Sequence, residues 1–229
     1  MAEHQIDTPQ RLSGVRKVIA QRMLASLQGA AQLTYHGDAD ISALMTKRKA
    51  WKAAGHKISL EDCLIYALAN TLKAFPDFNG IADEESFTQH SSIDLSLAIS
   101  TSSGLMTPVL RDICSMSVLD LANARRDLVS RALSGKLAVS EMKGGSFTLS
   151  NLGHTRVRYF TPILNAGQLA LLGVGRLDEV AEFDKAGHLR PVRKLPLSLT
   201  ADHRIIDGEP AGKFLNELCE QLENFRVEP

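Results

Sequence analysis

Cysteine is scarce in this chain: Cys63, Cys114 and Cys219 are the three among 229 residues. They are odd in number and far apart, without the close pairs of a zinc site or a disulfide scaffold, so a reducing compartment is expected and no metal is assigned. Net charge is missing too. The 26 Lys plus Arg balance 26 Asp plus Glu, so no global field draws in nucleic acid or anionic lipid. No apolar run reaches the ~18 residues of a membrane span. The opening MAEHQIDTPQ has neither the apolar centre of a signal peptide nor the arginines of a transit peptide. No repeat, low-complexity tract, Walker loop or dinucleotide fingerprint occurs. These absences lead to a cytoplasmic protein with neither a membrane nor a nucleic-acid partner.

What is present is ordinary globular material, 44% apolar and 23% charged, enough for a real core. Residues 1–10 read as a polar leader. Ser13 then precedes Val15, Ile19, Met23 and Leu27 at four-residue steps, which predicts a serine-capped amphipathic helix to about Gln28. Gln32 to Asp40 reads as a strand, and Asp40 can cap a helix through Ile41, Leu44, Met45 and Trp51 that ends before Gly55. Ser59 with Asp62, and Ser117 with Asp120, are capping-box patterns opening helices to about Phe75 and Leu133, the second ended by Gly135. Between them Pro76 and Gly80 turn the chain, Ser92 to Thr101 alternates as a half-buried strand, and Leu105 to Leu110 is a second extended piece with Pro108 in it. Three more strands are expected at Ser146 to Ser150, Gln168 to Val174 and Leu195 to Ala201, then a helix from Pro210 to Phe225. Mixed elements along the whole length predict a single α/β sandwich with a mixed sheet.

The chemistry concentrates in the stretch from Leu195 to Leu218, where an apolar strand runs into Asp202, His203 and Arg204, then Asp207 and Gly208. Histidine is the side chain able to take and release a proton near neutral pH, with an unperturbed pKa of ~6.5. Asp207, four residues on, can anchor the loop through an arginine and so hold His203 rather than handle protons. His36, His56, His90, His154 and His188 lack such a setting and read as hydrogen-bonded surface or turn residues.

The run Asp202-His203-Arg204-Ile205-Ile206-Asp207-Gly208 resembles the signature of the dihydrolipoamide acyltransferases, core subunits of 2-oxo acid dehydrogenase complexes. Its His-x-x-x-Asp-Gly element is shared with chloramphenicol acetyltransferase, plant-type acyltransferases and peptide-synthetase condensation domains. Other segments narrow the resemblance: Leu12 to Lys17 with Ile19 to Met23, Gly104 to Asp112, Gly144 to Gly153, Phe160 to Asn165, and Leu172 to Gly175. Together they cover roughly residues 11 to 225 in the family's order.

The resemblance implies a chloramphenicol acetyltransferase-like two-layer sandwich, with a mixed sheet, helices on one face and a trimeric assembly, spanning 11–229 as one catalytic domain. It implies acyl transfer between dihydrolipoamide and coenzyme A, both substrates. His203 is the general base and Ser150 the donor to the oxyanion of its neighbour's site. Asp207 pairs with an arginine of the first helix, Arg22 ahead of Arg16. Lys136 and Lys143 are candidates for coenzyme A phosphates. The Asn151-Leu152-Gly153 and Phe160-Thr161-Pro162 segments look more like acetyl-transferring members. Two rivals stand beside this: an acetyltransferase on a small-molecule hydroxyl or amine, and a non-catalytic scaffold subunit of a dehydrogenase complex.

Family members usually carry lipoyl and subunit-binding domains ahead of the catalytic domain, and neither is visible here. The chain is an excised domain or a short enzyme served by a lipoyl group on another protein; 2-oxo acid decarboxylase and dihydrolipoamide dehydrogenase are the further partners such a family implies. The final residues, Glu223 to Pro229, lack the leucine-rich segment of cage-forming relatives, so a free trimer of about 75 kDa is expected.

Overall fold

The computed structural model describes residues 11–102, 104–165 and 167–228; the leader 1–10 and the side chain of Val15 lie outside the described residues. In chain order the elements are α1 (Gly14–Gly29), β1 (Gln32–Asp40), α2 (Ser42–Ala53), α3 (Leu60–Ala74), β2 (Gly80–Ala82), β3 (Phe87–Gln89), β4 (Leu95–Thr101), β5 (Gly104–Met106) and β6 (Val109–Leu110). They continue with α4 (Val118–Leu133), β7 (Phe147–Asn151), β8 (Ala170–Val174), β9 (Asp178–Phe183), β10 (Leu189–Asp202) and α5 (Gly208–Glu223).

Local chemistry fixes the starts of α3 and α4. Ser59 accepts the Asp62 N–H at 3.1 Å while the Asp62 carboxylate takes the Ser59 N–H at 2.7 Å. Ser117 and Asp120 make the same reciprocal pair. Each box satisfies donors that the first helical turn leaves orphaned. Ser13 departs from expectation. Gly14 takes a left-handed φ of +52° and the serine hydroxyl makes no capping bond. Nor does α1 bury its stripe: Ile19 and Met23 are half-buried, Leu24 and Leu27 are exposed, and the helix is tied down mainly by Ser26, whose buried hydroxyl donates to the Leu164 carbonyl at 2.7 Å.

The main sheet runs β1-β10-β8-β7-β4-β5, with β6 also on β4 and β9 on β10; β2 and β3 form a separate pair. It is mixed, since β7 is parallel to both β4 and β8 while the other pairings are antiparallel. Leu105 to Leu110 divides into β5 and β6 around Pro108, which has no N–H to give and instead accepts from Leu97 N–H at 2.8 Å. The expected last strand is longer than its apolar run, because Leu189 to Lys194 pairs with the unanticipated β9 in a projecting hairpin.

Alternation sorts the sheet into two unlike faces. Leu95, Leu97, Phe147, Leu149, Leu172, Leu197 and Leu199 turn to the helices and join one core with α2 to α5. Phe214 of α5 stacks on Phe78 at 4.4 Å and on Phe147 at 6.2 Å in its middle. The opposite face carries small polar side chains: Ser96, Thr148, Ser198 and Thr200 are each at most 2% exposed. Among the described residues no helix is long and apolar enough to cross a membrane. Because the Ser117 box supplies a capping bond worth about 1 kcal/mol, Ser117→Ala should lower the urea midpoint by a corresponding amount with an unchanged denaturant slope.

Candidate active site

The end of β10 is built around Asp202, which is 1% exposed. Its carboxylate accepts the Ala31 N–H at 3.2 Å, the Arg204 N–H at 3.1 Å and the Arg204 guanidinium at 2.7 to 3.1 Å. Burial acts to raise its pKa, but the Arg204 hydrogen bonds outweigh burial and hold it below the ordinary carboxylate value. His203 donates its own N–H to the Ala31 carbonyl at 2.8 Å. Thus the short link between α1 and β1 is fastened at both its N–H and its C=O to the strand tip. Ile206 is buried beneath, and the His203 ring is left 41% exposed at a rigid point. Next to it lies a cavity of about 200 Å³ between Ser26, Leu164, Gln168, Asp202 and Arg204.

Asp207 starts α5 with its side chain 84% exposed and an oxygen 3.8 Å from His203 Nδ1. That is too long for a hydrogen bond and is an ion pair only when the ring is protonated. The expected arginine partner is not brought to it. Arg22 and Arg16 are exposed on α1, and neither forms an ion pair with Asp207 among the described residues of the protomer. The helix that carries them lies outside the core, so the packing that would aim them is absent within one chain.

Ser150 stands elsewhere. It is the penultimate residue of β7, half-buried on the polar face, and its hydroxyl has no hydrogen-bond partner among the described residues. Register aligns Ala98, Ser150, Gly173, Ser198 and His36 in one row across the sheet. His203 is five residues beyond Ser198 and two strands from β7. At ~3.3 Å per residue and ~4.8 Å per strand, the two Cα atoms are about 19 Å apart. One protomer cannot use both on one small reacting group.

The row has its own fittings. Phe160 sits on Gly173, where an added Cβ would meet its ring at 2.7 Å. His36 Nδ1 is 2.9 Å from Ser198 Oγ, and Tyr159 packs by His36 while donating to Asp38 at 2.6 Å. Burial and that carboxylate push the tyrosine up to about 12, so it remains a donor.

A groove of about 790 Å³ opens between α2, the α2–α3 loop, α4 and β10, lined by cations that include Arg48, Lys52, Lys57, Arg125, Arg126 and Arg193, and by no acidic side chain. Arg48 Nε is buried there without a partner. Its contacts are Met45 sulfur and the Ile58 carbonyl, not a carboxylate. A guanidinium fixed by those two bonds and neutralised by no carboxylate, in a cationic recess, suits an oligophosphate. Lys136 and Lys143, the sequence candidates for phosphate contact, are not part of it. The available signal was an absence: from Ile41 to Leu60 the chain has five Lys or Arg and no Asp or Glu.

The family model described as 2-oxoacid dehydrogenases acyltransferase (catalytic domain) matches residues 4–227. The dihydrolipoyllysine-residue acetyltransferase component of the pyruvate dehydrogenase complex of Bacillus subtilis (strain 168) is 34% identical over 93% of this chain and 49% of its own length. A mitochondrial succinyltransferase component from Saccharomyces cerevisiae is 35% identical over 96% and 48%. The chain therefore spans about half the length of these relatives. Among solved structures, the dihydrolipoamide acetyltransferase of Azotobacter vinelandii superposes with a TM-score of 0.90 at 33% identity, covering 97% of this chain and 94% of that one. The work on it concerned the catalytic roles of a serine, a histidine and an asparagine, the last two four positions apart. A chloramphenicol acetyltransferase shares the fold, with a TM-score of 0.53 at 19% identity over 90% and 93%.

The strand-tip clamp carries a pH prediction. A carboxylate held below its unfolded value of ~3.9 contributes stability that is complete above that pH and is lost as pH falls through the folded value. Asp202→Asn should therefore melt lower than wild type at pH 6 to 7, and the gap should close below about pH 4 when melting is followed by circular dichroism.

Proposed function

Because the chain belongs to the acyltransferase catalytic-domain family of the 2-oxoacid dehydrogenases, matching its model over residues 4–227, we propose that it moves an acyl group, acetyl by preference, between dihydrolipoamide and coenzyme A. The observation that carries this reading is the cationic groove whose Arg125 is joined through Glu61 to Asn151, the residue after an unpartnered serine. Coenzyme A is a thiol on a long arm that ends in an adenosine bearing three phosphates, a 5′-diphosphate and a 3′-phosphate. Arg48, Lys57 and Arg126 would hold that end and leave the thiol to reach Ser150. Asn151, next to the serine, is already joined through Glu61 to the groove-lining Arg125.

The chemistry follows from the groups. With Nδ1 turned toward Asp207, Nε2 of His203 takes the proton of the incoming thiol as its sulfur attacks the thioester carbon. Carbonyl electrons move onto oxygen, where the Ser150 hydroxyl donates to the oxyanion. Collapse restores the carbonyl and expels the other sulfur, which recovers the proton from the imidazolium. A thiol of pKa ~8.5 lies about two units above a free imidazole, so full deprotonation first would cost roughly 3 kcal/mol, and removal coupled to attack is the cheaper course. The separation of about 19 Å set by strand geometry is too wide for one reacting group and supports the reading that His203 works with Ser150 of another copy. A homotrimer with sites between protomers meets that need, and it could supply Asp207 with an arginine from α1 of a neighbour.

Phe160 supports acetyl. Its ring fills the space over Gly173, the register neighbour of Ser150, and leaves little room for a longer or branched acyl chain, although one extra methylene changes selectivity by only ~1–3 kcal/mol. The lipoyl group would come from another protein or domain, with a 2-oxo acid decarboxylase and dihydrolipoamide dehydrogenase as the enzymes that load and reoxidise it. Three unpaired cysteines accord with a cytoplasmic setting.

With acetyl-CoA and free dihydrolipoamide, His203→Ala should lower kcat by at least ~10² while light scattering still reports about 75 kDa. Arg48→Ala should raise KM for acetyl-CoA with kcat little changed. Equal, background-level activity of wild type and His203→Ala favours a scaffold role, transfer only to alcohols or amines favours a small-molecule acetyltransferase, and a mass of 24 or 60 subunits overturns the free trimer.

A further inference from the structure

We propose that Glu61 is a positioning residue for Ser150, acting through Asn151 and itself held by Arg125. The inference rests on the reading of Ser150 as the oxyanion donor. Strand β7 is poorly held at this end. Its ladder with β4 stops at Ala98 opposite Ser150, so Asn151 is paired only with Val174 of β8. On the unpaired side the Asn151 carboxamide does the work of a missing strand. Nδ2 donates to Glu61 Oε1 at 3.1 Å and Oδ1 accepts the Gly153 N–H at 2.8 Å. Both ends of the amide are committed, which fixes the peptide that follows Ser150.

Glu61 is in turn immobilised. Its second oxygen receives Arg125 Nη1 at 3.0 Å. Arg125, only 13% exposed, also donates to the fully buried Asp62 and, at 3.0 Å, to Ser59 Oγ. The capping box of α3 is thus tied through one guanidinium to the strand end that bears the serine. An oxyanion donor must stand 2.7–3.1 Å from where the charge forms. Loosening its strand end should therefore weaken the transition-state contact and spare ground-state binding, since the groove cations that would hold the phosphates are mostly on α2 and the loop after it.

The test is a mutant cycle read as kcat and KM with acetyl-CoA and dihydrolipoamide. Glu61→Ala should lower kcat about tenfold, with KM for acetyl-CoA within about twofold of wild type. Glu61→Gln, which keeps an oxygen for Asn151, should restore most of the loss. In a Ser150→Ala background Glu61→Ala should cost nothing further. Equal losses in both backgrounds, or a loss confined to KM, would overturn the inference alone. Wild-type turnover by Ser150→Ala would remove the parent reading and the inference with it. Should Glu61→Ala not fold, Asn151→Ala in the same two backgrounds reads the same contact, with the same outcomes.

Discussion

Hydrogen-bond register in the sheet decides what this molecule can do. Ser198, and not His203, stands in the row of Ser150, and β10 is paired along Gln32 to Asp40 on one side and along β8 and β9 on the other. A slip of one residue would turn Leu195, Leu197 and Leu199 out of the core and Ser198 and Thr200 into it. The distance between histidine and serine is therefore as rigid as the sheet. Any account in which they share a substrate must bring in a second chain, and the same rigidity would then fix the geometry of the shared site.

The polar face agrees with that requirement. Its buried hydroxyls are satisfied locally, Thr34 with Thr200 at 2.7 Å and His36 with Ser198 at 2.9 Å, while Gln168 donates to the Gly145 carbonyl at 2.7 Å and accepts from the Thr148 hydroxyl. Satisfied polar groups make burial tolerable. Outside them α1 leaves Leu24 and Leu27 at 59% and 49% exposure, and Leu105 is 60% exposed on β5. A lone protomer loses hydrophobic stabilisation at such positions. A trimer that covers them would recover it and could orient Arg22, which meets no carboxylate among the described residues of its own chain.

Features set by neighbours in sequence were legible in advance. The Ser59 and Ser117 boxes, the limits of β1 and the alternation of β4 depend on a few adjacent residues. Family resemblance singled out His203, Asp207 and Ser150. The resemblance also implied that base and donor face each other across protomers, but the distance between them within one chain was not legible, because register is a tertiary property. Strand β9 was missed because its sequence, Asp178-Glu179-Val180-Ala181-Glu182-Phe183, has no period-two alternation of apolar and polar residues to mark it. Lys136 and Lys143 lie on the segment between α4 and β7, whereas the cationic groove is assembled from α2, the α2–α3 loop, α4 and Arg193 of β10. Glu61 had a visible role as a first-turn acid of α3; only folding shows it reaching Asn151, 90 positions away.

The central claim is that base and oxyanion donor belong to different chains, and subunit mixing tests it most directly. His203→Ala and Ser150→Ala protomers, each inactive alone, would be coassembled and the mixed trimers confirmed by mass spectrometry. Random trimers from equal amounts place an intact histidine against an intact serine at about a quarter of their interfaces, so about a quarter of wild-type turnover should return. Mixed trimers as inactive as their parents would contradict the account.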